Sequence, residues 1–324
     1  MTADGKQPEY VGYLYAHFKR ESADGEQIYF ALSDGNDPLH FDDLNGGTPV
    51  LHSTLGECGV RDPHIVRSPQ GDRFYLVATD LRLYANRDWD RHQRRGSRSI
   101  MVWESADLVN WGEGRLVEVA PPEAGNTWAP EALWDPEQDA YLVHWSSTLY
   151  DNAGHEGESY NRIMYATTRD FREFSEPRVW IDRGWHTIDT TVIDHEGVYY
   201  RFLKDERSRS GDVPFGKSVF CETSTSLTAA EWKPVAEGIG LDTIIQGEGP
   251  LVYKSNTEDK WYLWIDEFTS DRRYVPFETT DLAGGEWIPA KEHRLPEDPC
   301  HGVVLPVTAE EYERLKDAWR PRTR

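Results

Sequence analysis

An all-β ring of five four-stranded blades, a β-propeller, is the fold this sequence predicts, and three observations predict it. A unit recurs at spacings of 69, 58, 59 and 53 residues, each time opening on a polar side chain before an apolar strand: Asp62, Glu131, Asp189, Glu248 and His301. The first four openings are each followed by a turn and an aromatic-rich second strand: DRFYLVATD, DAYLVHWSS, GVYYRFLKD and DKWYLWIDE. The fifth opening lacks that continuation, whereas orphan strands precede the first unit. A ring whose last blade is closed by the N-terminal strands pairs both otherwise exposed edges. A β-sandwich would leave so long a repeat unexplained.

Taken in order, Met1 to Gln7 are polar and lack the apolar run of a leader, which predicts a frayed start over residues 1–8 and a cytoplasmic protein. Residues 10–18 (YVGYLYAHF) and 27–32 (QIYFAL) are β-branched and aromatic, and predict strands. The cluster Ser33 to Pro38 is a turn, followed by short extended pieces at 39–41 and 48–51. Each later unit adds a third strand and a polar turn leading to an aromatic: WESADLVNW, ATTRDFREF, ETSTSLTAAEW and ETTDLAGGEW. Thr308 and Glu311 form the capping box of a short C-terminal helix, with Tyr312 and Leu315 facing the ring. The whole chain, 1–324, reads as one propeller domain.

Composition narrows the partners. Lysines and arginines number 35 against 57 acids, a net charge of −22, which argues against nucleic acid and anionic membrane. A neutral polyhydroxylated partner, a carbohydrate, suits both this charge and the many aromatics. Cys58, Cys221 and Cys300 are too few and too scattered for a disulfide framework. Nothing in the sequence sets the oligomeric state.

In a propeller the first strands line the central channel, so their leading ends converge on one face. Asp62, Glu131, Asp189, Glu248 and His301 are therefore expected around one pit. Crowded carboxylates split their pKa values, and hydrolysis of a glycosidic bond needs one protonated carboxyl and one carboxylate that activates water. His64 lies two positions after Asp62, on the same side of its strand, placed to touch substrate or order the base. Trp128 and Trp185 precede two strand starts and form a sugar platform or pack between blades. Glu131 contacts substrate or ties neighbouring blades. Arg273 reaches a sugar hydroxyl or the acid, or stays on the surface. The loops at 83–98, 149–161 and 206–216 are long and polar, which favours a closed pocket and exo action.

The motifs RDPHIV, WAPEA, TIDTTVI, GEGPLVY and CHGVVLP, in that order across the chain, resemble glycoside hydrolase family 43, the five-bladed arabinofuranosidases, xylosidases and arabinanases. The resemblance implies an inverting mechanism with Asp62 as general base, Glu248 as general acid, and Asp189 raising the pKa of the acid and orienting it. It matches His301 to a channel position that holds a water or a cation. No cofactor is required in this reading, with a calcium or sodium ion near His301 the one candidate, although a lone His without an Asp/Asn cluster is weak evidence for calcium. The implied activity is release of a terminal pentose, α-L-arabinofuranose foremost, from plant-derived oligo- or polysaccharides. β-D-xylose and galactan-derived sugars are the alternatives, because Glu131 and Thr190 depart from the family's Asp and Pro. Fructan-acting relatives would share the blades but use a retaining nucleophile. A carbohydrate-binding propeller without chemistry would leave a carboxylate role vacant, and none is.

Overall fold

The structure, a computed structural model, describes residues 8–319, so the expected frayed start lies almost wholly outside the described residues. Three strands open the chain, β1 (Tyr10–Lys19), β2 (Tyr29–Ser33) and β3 (Phe41–Asp43). Blade 1 follows with β4 (Val60–Arg67), β5 (Phe74–Asp80), β6 (Ser99–Ser105) and β7 (Arg115–Glu118). Blade 2 holds β8 (Trp128–Asp135), β9 (Ala140–Thr148), β10 (Asn161–Thr168) and β11 (Arg178–Ile181). Blade 3 holds β12 (Thr187–His195), β13 (Val198–Asp205), β14 (Ser218–Ser224) and β15 (Lys233–Ile239). Blade 4 holds β16 (Glu248–Lys254), β17 (Trp261–Glu267), β18 (Arg273–Thr279) and β19 (Ile288–Pro289). Finally β20 (Pro299–Thr308) pairs antiparallel with β1, giving a fifth sheet of order β20-β1-β2-β3. The ring closes as the orphan strands predict. The piece at 48–51 forms only an isolated bridge, Ile28 to Leu51.

Burial explains the sequence pattern. The second strands β5, β9, β13 and β17 are buried at nearly every position, because each is covered on both faces by neighbouring blades. Their near-continuous apolar character follows, whereas the outermost β7, β11 and β19 are largely exposed or half-buried. The core is a set of seams. Leu14, Phe30, Leu76 and Trp103 fill the one between blades 5 and 1. Tyr13, Tyr253, Trp264 and Tyr274 fill the one between blades 4 and 5.

Among the described residues two α-helices accompany the strands, α1 (Trp89–Arg95) in the loop after β5 and α2 (Ala309–Ala318) after β20. The Thr308–Glu311 capping box forms. Tyr312 donates through its hydroxyl to the Ser33 carbonyl at 2.8 Å, and Glu311 takes the Arg67 guanidinium in a two-pronged ion pair. The helix thus ties blade 5 to blade 1. A Cβ on Gly12 would stand 2.6 Å from the Tyr312 ring, so only glycine lets α2 lie this close to β1.

Candidate active site

Each of the first four inner strands carries the same defect near its start. Pairing with the second strand slips between Arg61 and His64, Trp128 and Glu131, Ile188 and Thr191, and Glu248 and Leu251. Two residues on the inner strand then oppose one on its partner, a β-bulge, which bends the strand and re-aims its side chains. The first bulged residue is left-handed in every case: Asp62 (φ 51), Ala129 (φ 47), Asp189 (φ 52) and Gly249 (φ 52). That register corrects the alignment drawn from charge. Ala129, not Glu131, is the counterpart of Asp62, and Glu248 stands one place earlier.

The correction separates the expected residues. Asp62, Trp128, Asp189, Glu248, Arg273 and His301 line one cavity of ≈ 580 Å³ at the channel mouth, a size suited to a small ligand. Glu131 and His64 do not line it. They sit directly past the bulge, two positions after the left-handed Asp62 and Ala129, and face each other, His64 Nδ1 to Glu131 Oε2 at 3.3 Å. Trp185 also lies off the wall, beneath the Arg207 guanidinium at 3.9 Å. The substrate contacts expected of His64, Glu131 and Trp185 therefore have no support in the geometry.

The three expected catalytic carboxylates are held differently. Asp62 Oδ2 accepts from the Thr79 hydroxyl at 2.8 Å, and Oδ1 lies 3.4 Å from His301 Nδ1. Burial pushes the Asp62 carboxyl up, but His301, Arg61 and Thr79 together hold it below the usual carboxylate range. Asp62 is thus ionised. Asp189 Oδ2 accepts the Gly249 N–H at 3.1 Å, so it fixes the peptide that carries Glu248. Burial, with the charges of Glu248 and Asp62, raises Asp189 to about 6.

Glu248 departs from expectation. Burial pushes it up, yet the ammonium of Lys204, 2.6 Å from Oε2, with Arg61 and Arg273 behind, holds it below the usual range. The raised carboxyls are its neighbours: Asp189, and Asp266, which burial lifts to about 7 despite Arg273 at 2.8 Å. The pit thus keeps an ionised carboxylate on the blade 1 side and proton-holding carboxyls on the blade 3–4 side. That split is what acid–base hydrolysis requires.

Burial alone would lower the His301 pKa, but Asp62, Asp189 and Glu131 raise it to about 9. A histidine whose folded pKa is raised contributes stability that is complete below its unfolded value of 6.5 and is lost as pH climbs through about 9. The gap in urea midpoint between wild type and His301→Gln is therefore expected to be widest below that lower value and to narrow by about pH 10. A gap constant across that window would show that His301 is neutral in the fold. Among the described residues no three His, Cys, Asp or Glu side chains converge as a metal site.

Sequence reasoning missed several wall residues. Arg61 stacks over Phe18 at 4.6 Å and lies 5.8 Å from the Trp89 ring, while its guanidinium is pinned by Glu21 at 3.0 Å and Glu26 at 3.2 Å. Glu26 also accepts the Leu83 and Tyr84 amides, both at 2.8 Å, so it anchors the loop that carries α1. Trp89, half exposed, meets Trp128 edge-on at 6.1 Å. Phe268, Lys204, Glu206 and Asp266 complete the opposite wall. Aromatic faces set among charged groups suit a sugar, whose C–H faces stack while its hydroxyls take hydrogen bonds.

Comparison with solved structures places the chain among five-bladed propellers. A thermostable family-43 glycoside hydrolase superposes with a TM-score of 0.52 at 19% identity, over 74% of each chain. The catalytic domain of a GH62 α-L-arabinofuranosidase of Coprinopsis cinerea superposes with a TM-score of 0.51 at 13% identity, over 90% of this chain and 78% of that one. The chain belongs to the glycosyl hydrolase 43-related family, described as a probable glycosyl hydrolase domain, whose model matches residues 8–313. An α-L-arabinofuranosidase of Bifidobacterium longum subsp. longum is 36% identical over 331 residues, which cover 93% of this chain and 31% of that protein. The chain thus spans about a third of the length of that relative.

Proposed function

We propose that this chain is an inverting, exo-acting glycoside hydrolase that releases a terminal pentose, α-L-arabinofuranose foremost, from plant-derived oligo- or polysaccharides. The observation that carries the reading is the asymmetry of the pit, with Asp62 held ionised on one side and proton-holding carboxyls around Glu248 on the other. The pentose enters between Phe18, Arg61 and Trp128 and the wall of Lys204, Phe268 and Arg273. Asp62 takes a proton from the attacking water, and Glu248 gives one to the departing oxygen. Asp189 holds the Glu248 peptide in place and, once ionised above about pH 6, adds a negative charge that favours a proton on Glu248. His301 keeps Asp62 ionised and turned toward the water. In this reading the His301 imidazolium is one of several positive charges at the channel mouth, beside Arg61, Lys204 and Arg273, and a set of imidazolium and carboxylates already paired with each other fits calcium or sodium poorly, since both prefer oxygen cages.

The choice of arabinofuranose over xylose or galactose rests on the Bifidobacterium relative, whose name gives that sugar. A panel of nitrophenyl glycosides tests it. Turnover is expected to be fastest with α-L-arabinofuranoside, and a faster β-D-xyloside or β-D-galactoside would reassign the sugar. Calorimetric binding of arabinan, xylan or galactan fragments without turnover of any of them would make the chain a binding propeller.

A further inference from the structure

The four bulged blades share a second feature on their second strands. Opposite the residue that precedes each bulge stand Thr79, Ser146, Lys204 and Asp266. In blades 1 and 2 this residue is a hydroxyl that ties the next blade in place. Thr79 Oγ1 accepts the Ala129 N–H at 2.8 Å, and Ser146 Oγ accepts the Asp189 N–H at 3.2 Å. Each tie satisfies the bulge amide of the following blade, a group that would be costly to leave unpaired.

Blade 3 breaks the pattern. The bulge amide of blade 4, on Gly249, goes to Asp189 Oδ2 instead, so the second-strand position is released from holding the ring together. Lys204 occupies it, almost fully buried. A lysine is rarely buried without partners, and this one has two. Its ammonium lies 2.6 Å from Glu248 Oε2 and 2.6 Å from Glu206 Oε2, with the Phe268 ring 4.5 Å away. Glu206 is the first residue beyond β13, lines the pit and also pairs with Lys217.

We propose that Lys204 is a positioning residue for Glu248, and that Glu206 is the counter-carboxylate that sets how much of the lysine charge Glu248 feels. Together they fix the pH above which the general acid is lost. The inference rests on the reading of Glu248 as that acid. Other charges face Glu248 as well: Asp189 from β12, Asp266 from β17, Arg273 from β18 and Arg61 from β4. Arg273 and Arg61 are taken up by other carboxylates of the pit wall, Asp266 at 2.8 Å and Glu21 at 3.0 Å, whereas Lys204 is hydrogen-bonded to Glu248 itself and shares its ammonium with Glu206. The blade comparison also distinguishes Lys204 from a structural tie, since the amide it would have served is already satisfied.

The test is the alkaline limb of kcat/KM in wild type, Lys204→Met, Lys204→Arg and Glu206→Gln. Removing the ammonium raises the pKa of Glu248, so Lys204→Met should move the limb upward by about 1–3 pH units. Removing the competing carboxylate leaves the lysine to Glu248 alone, so Glu206→Gln should move it downward. Lys204→Arg keeps the charge and should restore the wild-type limb. A limb unmoved in both Met and Gln variants, or moved the same way in both, overturns the proposal. Glu206 is partly exposed, so its variant is expected to fold even where Lys204→Met does not. Carbon-13 NMR titration of the Glu248 carboxyl, assigned by its loss in Glu248→Gln, gives the same shifts without turnover. Absence of turnover in wild type therefore refutes the function, whereas an unmoved Glu248 titration in Glu206→Gln refutes the role of this pair.

Discussion

Glu248→Gln is expected to slow hydrolysis of a sugar or alkyl glycoside by about 10²–10⁴-fold, while sparing a dinitrophenyl glycoside. The reason is the leaving group. A sugar alkoxide cannot depart without a proton, and the amide of glutamine has none to give at that point. Dinitrophenolate is stable as an anion and leaves unaided. Asp62→Asn is expected to behave differently, losing a comparable factor on both substrates, because water must be deprotonated whichever group leaves. The geometry supports that division. Asp62 is braced by Thr79 at 2.8 Å and His301 at 3.4 Å, contacts that favour its ionised form. Glu248 sits at the Asp189–Asp266 side, where protons are held. Steady-state rates of both variants on both substrates decide the matter. If Asp62→Asn keeps its rate on the dinitrophenyl substrate while Glu248→Gln loses both, the two roles are exchanged.

The ring was legible in the sequence because its physical cause repeats. A strand covered on both faces must be apolar throughout, so β5, β9, β13 and β17 stand out as aromatic-rich runs at a steady spacing. The closing of blade 5 follows from edges that would otherwise lie open. Register is masked in the sequence by charge. Aligning the acids set Glu131 beside Asp62, whereas the bulge sets Ala129 there. A better signal was present. Pro63, Pro130 and Pro250 each follow the left-handed residue of their blade, and alignment on proline would have placed Asp62, Ala129 and Gly249 together, while blade 3, with Thr190 after Asp189, carries no such mark. Lys204 was equally visible, as a lysine within the apolar run of GVYYRFLKD. Such a residue is out of place unless a carboxylate waits for it. Arg61 and Trp89 had no comparable signal, since their places on the wall depend on how a loop and two blades meet.

Gly249→Ala is expected to lower kcat by about 100-fold, the size of effect that follows from a misplacement of about 1 Å at the reacting groups. Gly249 has φ 52, a conformation that costs an L-residue about 1–2 kcal/mol. The added Cβ would also stand 2.9 Å from His301 Cγ, closer than carbon atoms approach. Neither side yields easily. His301 is buried against Asp62, and the Gly249 peptide is clamped by Asp189 on its N–H and by the Tyr274 hydroxyl, at 2.7 Å, on its carbonyl. Relief therefore comes by shifting the adjacent Glu248 or by pushing His301 off Asp62, and either move disturbs the acid–base pair. KM should change far less, because Phe18, Arg61 and Trp128 stand on other blades. Gly71→Ala separates strain from contact. Gly71 is also left-handed, with φ 77, but nothing lies within 4 Å of its Cβ position, so it should lose stability of similar size while keeping kcat. Urea midpoints and kcat for both variants decide it. If kcat survives in Gly249→Ala, the acid does not depend on the peptide clamp that Asp189 and Tyr274 form around it.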